Sequence, residues 1–282
     1  MPQNILISSL NETFRSIWKN KRIFILLFLL QTVLFSLLAF SSYYYQNKML
    51  ESAKEIADYI EKTQLDEISM TKNILEQKSI LGDDPLLISR NYNSIKKNFV
   101  YYLLSLIGIL GIFLPLLWLL SNKLLGKKLH VFFSKESLRP LIVVVFYLII
   151  IFGLFYSLFS LSITDLASQA SGLFLKFLIF ILISAALLYF LPISICLSLK
   201  ENLKEVVSKT FFLGIKKIHY ILTAYIFCAI AFSLIGYFFV SFAESGPIIM
   251  SFLFVILISV FIAGRIYVIS VIGKLEKEIK YA

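Results

Sequence analysis

Ionisable side chains are almost missing from six long stretches of this sequence, and that absence excludes more than any motif does. Only 16% of the residues are charged while 59% are hydrophobic, a balance far from that of a water-soluble domain and further still from a disordered chain. Cysteine is nearly absent as well. Cys196 and Cys228 both fall inside or at the end of apolar runs, which leaves no disulfide framework and no thiolate metal site. Histidine is as rare: His130 and His219 stand far apart, and the serines have no neighbouring base to activate them. With no nucleotide, metal or catalytic motif above chance, the chain is expected to be a non-enzyme without cofactors.

What is present is a set of apolar runs. A bilayer core about 30 Å thick takes roughly 20 apolar residues in a helix, because lipid cannot satisfy bare peptide groups. Six stretches meet that requirement: 23–45, 100–120, 141–163, 173–197, 218–240 and 248–272. The expected fold is therefore all-α, an integral membrane six-helix bundle.

Charge between the runs sets the orientation. Of the 27 Lys and Arg, 18 fall on one side together with 6 of the 17 Asp and Glu, which places +12 there and −2 on the other side. Loops kept in the cytoplasm carry such an excess, so both termini are expected to be cytoplasmic, with the chain in the cell membrane. The first run is too long for a cleaved signal and ends in Ser41-Ser42-Tyr43-Tyr44-Tyr45, so it is expected to stay as a span. A net charge of +10 then does not call for nucleic acid. Membrane lipids are the expected partners, with anionic headgroups of the inner leaflet as counterions at about 1 kcal/mol per basic residue near the surface.

The order of the segments points to three helical hairpins, each led by a cytoplasmic stretch with an apolar stripe at helical spacing. In 1–22 the stripe is Ile7, Leu10, Phe14, Ile17 and Trp18; in 121–140 it is Leu125, Leu129, Phe132 and Phe133; in 198–217 it is Leu203, Val206, Val207 and Phe211. Such helices lie among headgroups or pack beneath a bundle, and their polar faces offer docking surfaces for a cytoplasmic partner. Residues 273–282 are read as a cytoplasmic tail. Phe113-Leu114-Pro115 recurs as Phe190-Leu191-Pro192, an echo in keeping with internal repetition. Pro115 and Pro192 each remove one backbone bond, which makes them candidate hinges, or simple packing kinks.

The one sizeable outer segment is 46–99. Met49, Ala53, Ile56 and Ile60 continue a helical stripe out of the first run, Leu65, Ile68 and Leu75 form a second set, and Gly82-Asp83-Asp84-Pro85 reads as a turn. Helices projecting outward and folded back on themselves are expected there, suited to contact rather than catalysis.

Two polar side chains stand out within the runs. Gln31 should seek a partner across a helix interface. Arg265 lies about 18 residues, roughly 27 Å along a helix, beyond Pro247; it is expected to snorkel into the inner headgroups, or in a sharper reading to anchor a lipid or another anionic ligand. Ser105, Gly108 and Gly111 mark a helix seam.

The run Ser9-Leu10-Asn11-Glu12-Thr13-Phe14-Arg15-Ser16-Ile17-Trp18-Lys19-Asn20-Lys21, echoed at Ser198-Leu199-Lys200-Glu201-Asn202-Leu203, resembles the segment leading into the first span of several uncharacterised prokaryotic multi-pass membrane families. The resemblance implies membership of that class and carries over no functional residue. Sparse polar groups in the spans and contact surfaces on both sides point to a non-enzymatic scaffold or accessory subunit, working with a protein partner or a second copy of itself. The alternative is a permease or transporter for a small or amphiphilic substrate, which six spans, two internal prolines and a repeat also fit.

Overall fold

The computed structural model describes residues 5–62, 86–126, 135–159, 170–242, 244 and 246–281, and among them every regular element is an α-helix. In chain order these are α1 (Ile5–Lys19), α2 (Lys21–Lys62), α3 (Leu86–Leu124), α4 (Lys135–Phe159), α5 (Ala170–Ser198), α6 (Leu203–Lys216), α7 (Ile218–Ser241) and α8 (Pro247–Tyr281). All but α1 and α6 are long and apolar enough to cross a bilayer. Only 11 to 39% of their most apolar stretches is buried within the protein, so most of that surface requires an apolar surrounding.

Bonds between helix ends show which ends meet. Asn20 Nδ2 donates to the carbonyl of Leu124 at 2.8 Å, Arg139 Nη1 to that of Glu201 at 3.2 Å, and Lys217 pairs with Glu278 at 3.1 Å. Lys200 pairs with Glu276. The start of α2, the end of α3, the start of α4, the end of α5, the start of α7 and the end of α8 therefore share one end of the bundle, called here the basic end. Consecutive helices pack as α2 with α3, α4 with α5 and α7 with α8, while α8 also runs against α1, α2, α3 and α5 as a central post.

Packing is concentrated toward the basic end. Beyond Pro115 in α3, residues 117–122 are all buried, and beyond Pro192 in α5, residues 193–199 are all buried. Leu27, Leu117, Ile258, Ile262 and Ile266 fill the space between α2, α3 and α8, and a second cluster including Val144, Ile193, Leu197, Ile269 and Ile272 fills the space between α4, α5 and α8. At the other end Phe177, Leu182, Leu188, Tyr237 and Phe252 are exposed.

Several sequence boundaries shift. The runs at 23–45 and 100–120 are the middles of helices of 42 and 39 residues, about 63 and 58 Å long, because their polar outer turns keep helical spacing after the apolar residues stop. These two helices stay paired past the bundle, with Ser41 and Ser105 hydroxyls 2.8 Å apart, Ser52 Oγ 3.2 Å from Ser94 Oγ, and Asn91 Nδ2 donating to Glu55 at 2.8 Å. The tail at 273–282 is no loose end: α8 continues through it to Tyr281, with Leu275 and Glu276 buried. Within 121–140, α3 runs on to Leu124 and α4 starts at Lys135; Leu129, Phe132 and Phe133 lie outside the described residues. So do Leu65, Ile68, Leu75 and the Gly82 to Pro85 turn.

Small residues set the closest approaches. A β-carbon added at Gly111 would stand 3.2 Å from Val145 of α4, whereas one at Gly108, a turn earlier, would meet nothing within 4 Å. Gly111→Leu should therefore push α3 from α4 and cost about 1–3 kcal/mol, read as a lowered thermal midpoint in detergent. Gly108→Leu should leave that midpoint unchanged.

Candidate functional site

The least expected feature of the interior is a cation. Arg265 of α8 donates through Nη2 to Oε1 of Gln31 of α2, and Gln31 is itself buried. The other terminal nitrogen, Nη1, is buried with no hydrogen-bond partner. No carboxylate pairs with this guanidinium among the described residues. Leu27 and Leu34 flank Gln31 on α2, and Ile262 and Ile266 flank Arg265 on α8, all buried. One turn away from the basic end, the Phe35 and Phe261 rings meet edge to face at 5.3 Å and Phe232 stacks on Phe261 at 4.3 Å, closing the pair from that side.

Depth explains why Arg265 does not snorkel to headgroups. The distance that matters runs from the basic end, where Glu276 holds Lys200, and Arg265 stands eleven residues back from it, roughly 16 Å. Gln31 is ten residues into α2 from Lys21, roughly 15 Å. Both side chains thus sit at the same level inside the apolar span. A cation there costs about 2.5–3.5 kcal/mol before any bond offsets it.

At the basic end the acidic residues act as clips. Glu12 of α1 accepts from Ser270 Oγ at 2.7 Å and pairs with Lys274 at 3.2 Å, while Lys274 also donates to Ser8 Oγ at 2.9 Å. These bonds lay the Ile5, Ser9 and Thr13 edge of α1 against α8. Of the apolar stripe, Ile7, Phe14 and Trp18 are exposed while Leu10 and Ile17 pack partly against the core, and the small Ser9 and Thr13 make the closer approach. In α6 the stripe divides: Val206 is buried with Thr210, Leu213 and Gly214, while Val207 and Phe211 are exposed. Lys209 bonds Glu201 at 2.8 Å and Glu205 at 3.2 Å, and these carboxylates hold its ammonium above the ordinary lysine range.

Three cavities accompany these features. One of about 150 Å³ lies between α1, α7 and α8 near Thr13, Cys228 and Tyr267; one of about 360 Å³ lies between α4, α5 and α6; one of about 530 Å³, near Lys48, Glu51 and Lys97, lies between α2 and α3 away from the basic end. None of the three is lined by Gln31, Arg265, Pro115 or Pro192. Pro115 is buried and Pro192 half-buried, each at the point where its helix enters the packed half. Cys196 and Cys228 form no disulfide, and no cluster of metal-ligating side chains occurs among the described residues. Sequence reading missed the clips and the small residues that pack inward, Ser9 with Thr13 and Thr210 with Gly214, four apart in each case.

Six crossing helices with mostly outward-facing apolar surface define a multi-pass membrane protein in contact with lipid. No protein-family model, curated protein or solved structure matches the chain.

Gln31→Leu leaves the whole guanidinium unbonded and should cost about 3 kcal/mol, whereas Gln31→Leu with Arg265→Met should recover most of that loss in a double-mutant cycle of detergent unfolding. Glu12 carries a pH dependence. Burial raises its pKa, but hydrogen bonds from Ser270 and Lys274 and the charges of Lys274 and Lys277 outweigh that and hold it below its ordinary value. Its contribution is complete above the ordinary carboxylate range and is lost as pH falls through the lowered value. Amide exchange in α1 should accelerate over that acidic interval, and Glu12→Gln should remove the pH dependence.

Proposed function

We propose that this chain is a non-enzymatic scaffold or accessory subunit of the cell membrane. Both termini and the basic end face the cytoplasm, where lysines and arginines beyond those clipped by carboxylates meet anionic headgroups. The observation that carries the reading is the α2–α3 pair, which runs on as a helical stalk past the bundle. Helices of about 63 and 58 Å exceed the 40–45 Å of a whole bilayer by roughly 15–20 Å. On that stalk Leu50 and Leu86 are exposed by 62% and 66%, apolar surface that a second protein chain would cover. A filled interior between α2, α3 and α8 favours this reading over a permease, which needs a polar route through the spans.

Single cysteines in a Cys196→Ser, Cys228→Ser background test both parts. Leu117→Cys and Ile262→Cys, at fully buried positions, should resist membrane-impermeant maleimides from either side, Glu51→Cys should react in intact cells, and Lys204→Cys only in inverted vesicles. Native mass spectrometry after mild extraction should recover a second chain, either another protein or another copy. A lone monomer with maleimide reaching Leu117→Cys would favour the permease.

A further inference from the structure

The 360 Å³ cleft between α4, α5 and α6 is of the size of small-ligand sites. Val143 and Phe146 of α4, Leu187 of α5, and Leu203, Val207 and Phe211 of α6 wall it. The three from α6 recur at helical spacing, so a single face of that helix forms one wall. Phe146 and Val207 are exposed by 61% and 60%, and beside membrane-crossing helices such a mouth opens to lipid. A free hydrophilic solute is therefore excluded as the occupant.

The floor is polar. Tyr147 and Ser194 hydroxyls lie 2.9 Å apart, and Ser194 Oγ donates to Thr210 Oγ1 at 3.2 Å, with Ser194 and Thr210 buried. With that direction Tyr147 donates to Ser194, and the Thr210 proton is left without an acceptor among the described residues. At the basic end of the walls stand two cations. Arg139 precedes Val143 by four residues and Phe146 by seven, and Lys204 precedes Val207 by three and Phe211 by seven, so each lies on the side of its helix that lines the cleft. Arg139 spends Nη1 on the carbonyl of Glu201, three residues before Lys204; Lys204 makes no ion pair among the described residues.

We propose that this cleft is a site for an anionic glycerophospholipid: one acyl chain fills it, Thr210 donates to an ester oxygen, and Arg139 and Lys204 hold the phosphate. The proposal requires only that the helices cross a bilayer and stands whether the chain is a scaffold or a permease. Native mass spectrometry of the full chain, delipidated in mild detergent and supplied with phosphatidylglycerol or phosphatidylcholine, tests it. One phosphatidylglycerol should be retained roughly tenfold or more in preference to phosphatidylcholine, and Arg139→Gln with Lys204→Gln should erase the preference. Val207→Trp, which places an indole in the cleft from an exposed position, should abolish retention, while Ile230→Trp on the exposed face of α7 should keep it. Unchanged helicity and elution volume establish that the variants fold. Retention by Val207→Trp equal to the wild type, equal retention of the two lipids, or no lipid retained by the wild type would each overturn the proposal.

Discussion

Inside a bilayer no hydrophobic force draws one apolar helix toward another, since lipid tails solvate leucine as well as a neighbouring helix does. Association must come from close packing and from polar groups that have no water to turn to. That constraint accounts for what joins the helices here. The Ser41 and Ser105 hydroxyls meet across α2 and α3, Gly111 admits Val145, Gly214 admits the Phe190 ring, and Tyr189 Oη donates to the Gly214 carbonyl at 2.8 Å. Each contact is modest, and their joint placement decides where the bundle is firm.

Firmness is uneven along the spans. Toward the basic end, side chains from several helices fill two clusters, and ion pairs clip α1, the end of α5 and the start of α7 to α8. Apart from Lys200–Glu276, whose carboxylate is buried, those clips are exposed or half-exposed and worth about 0–1 kcal/mol each, so their importance is geometric: they fix which ends meet. Away from that end the α4–α5 and α7–α8 pairs present exposed apolar surface. Pro115 and Pro192 sit at the boundary between the two regimes. A proline there leaves the packed half intact and weakens the backbone only where side-chain packing also thins.

The helical class and the number of crossings were legible because the apolar runs are long and their signal is local. Which residues of each stripe in α1 and α6 turn inward was not. An apolar stripe reads as a buried face when water is the only other environment, but at a membrane surface lipid competes for Ile7, Phe14 and Phe211, and Ser9, Thr13 and Thr210 take the protein side. Arg265 was misplaced for a related reason. Spacing from Pro247, where α8 begins, does not give its depth, because the helix is 35 residues long and exceeds the hydrocarbon; spacing from the end that ion pairs hold fixed does. Gln31 was identifiable as a residue in need of a partner; the identity of that partner, 234 positions along the chain, is a property of the tertiary structure alone.

The Gln31–Arg265 bond is a poor source of net stability, since removing a guanidinium from water and leaving one nitrogen unbonded consumes most of what the bond returns. Its effect on the choice among arrangements is larger. Six helices rich in leucine, isoleucine and phenylalanine offer one another nearly interchangeable surfaces, and a shift of one turn between α2 and α8 changes little in apolar area. It changes everything for Arg265. A shift of 5.4 Å carries the amide away from the guanidinium and strands the cation in hydrocarbon, a penalty of about 2.5–3.5 kcal/mol. With α8 serving as the post against which α1, α2, α3, α5 and α7 all pack, fixing its register against α2 fixes the height of the clips that α8 carries, to Glu12, Lys200 and Lys217.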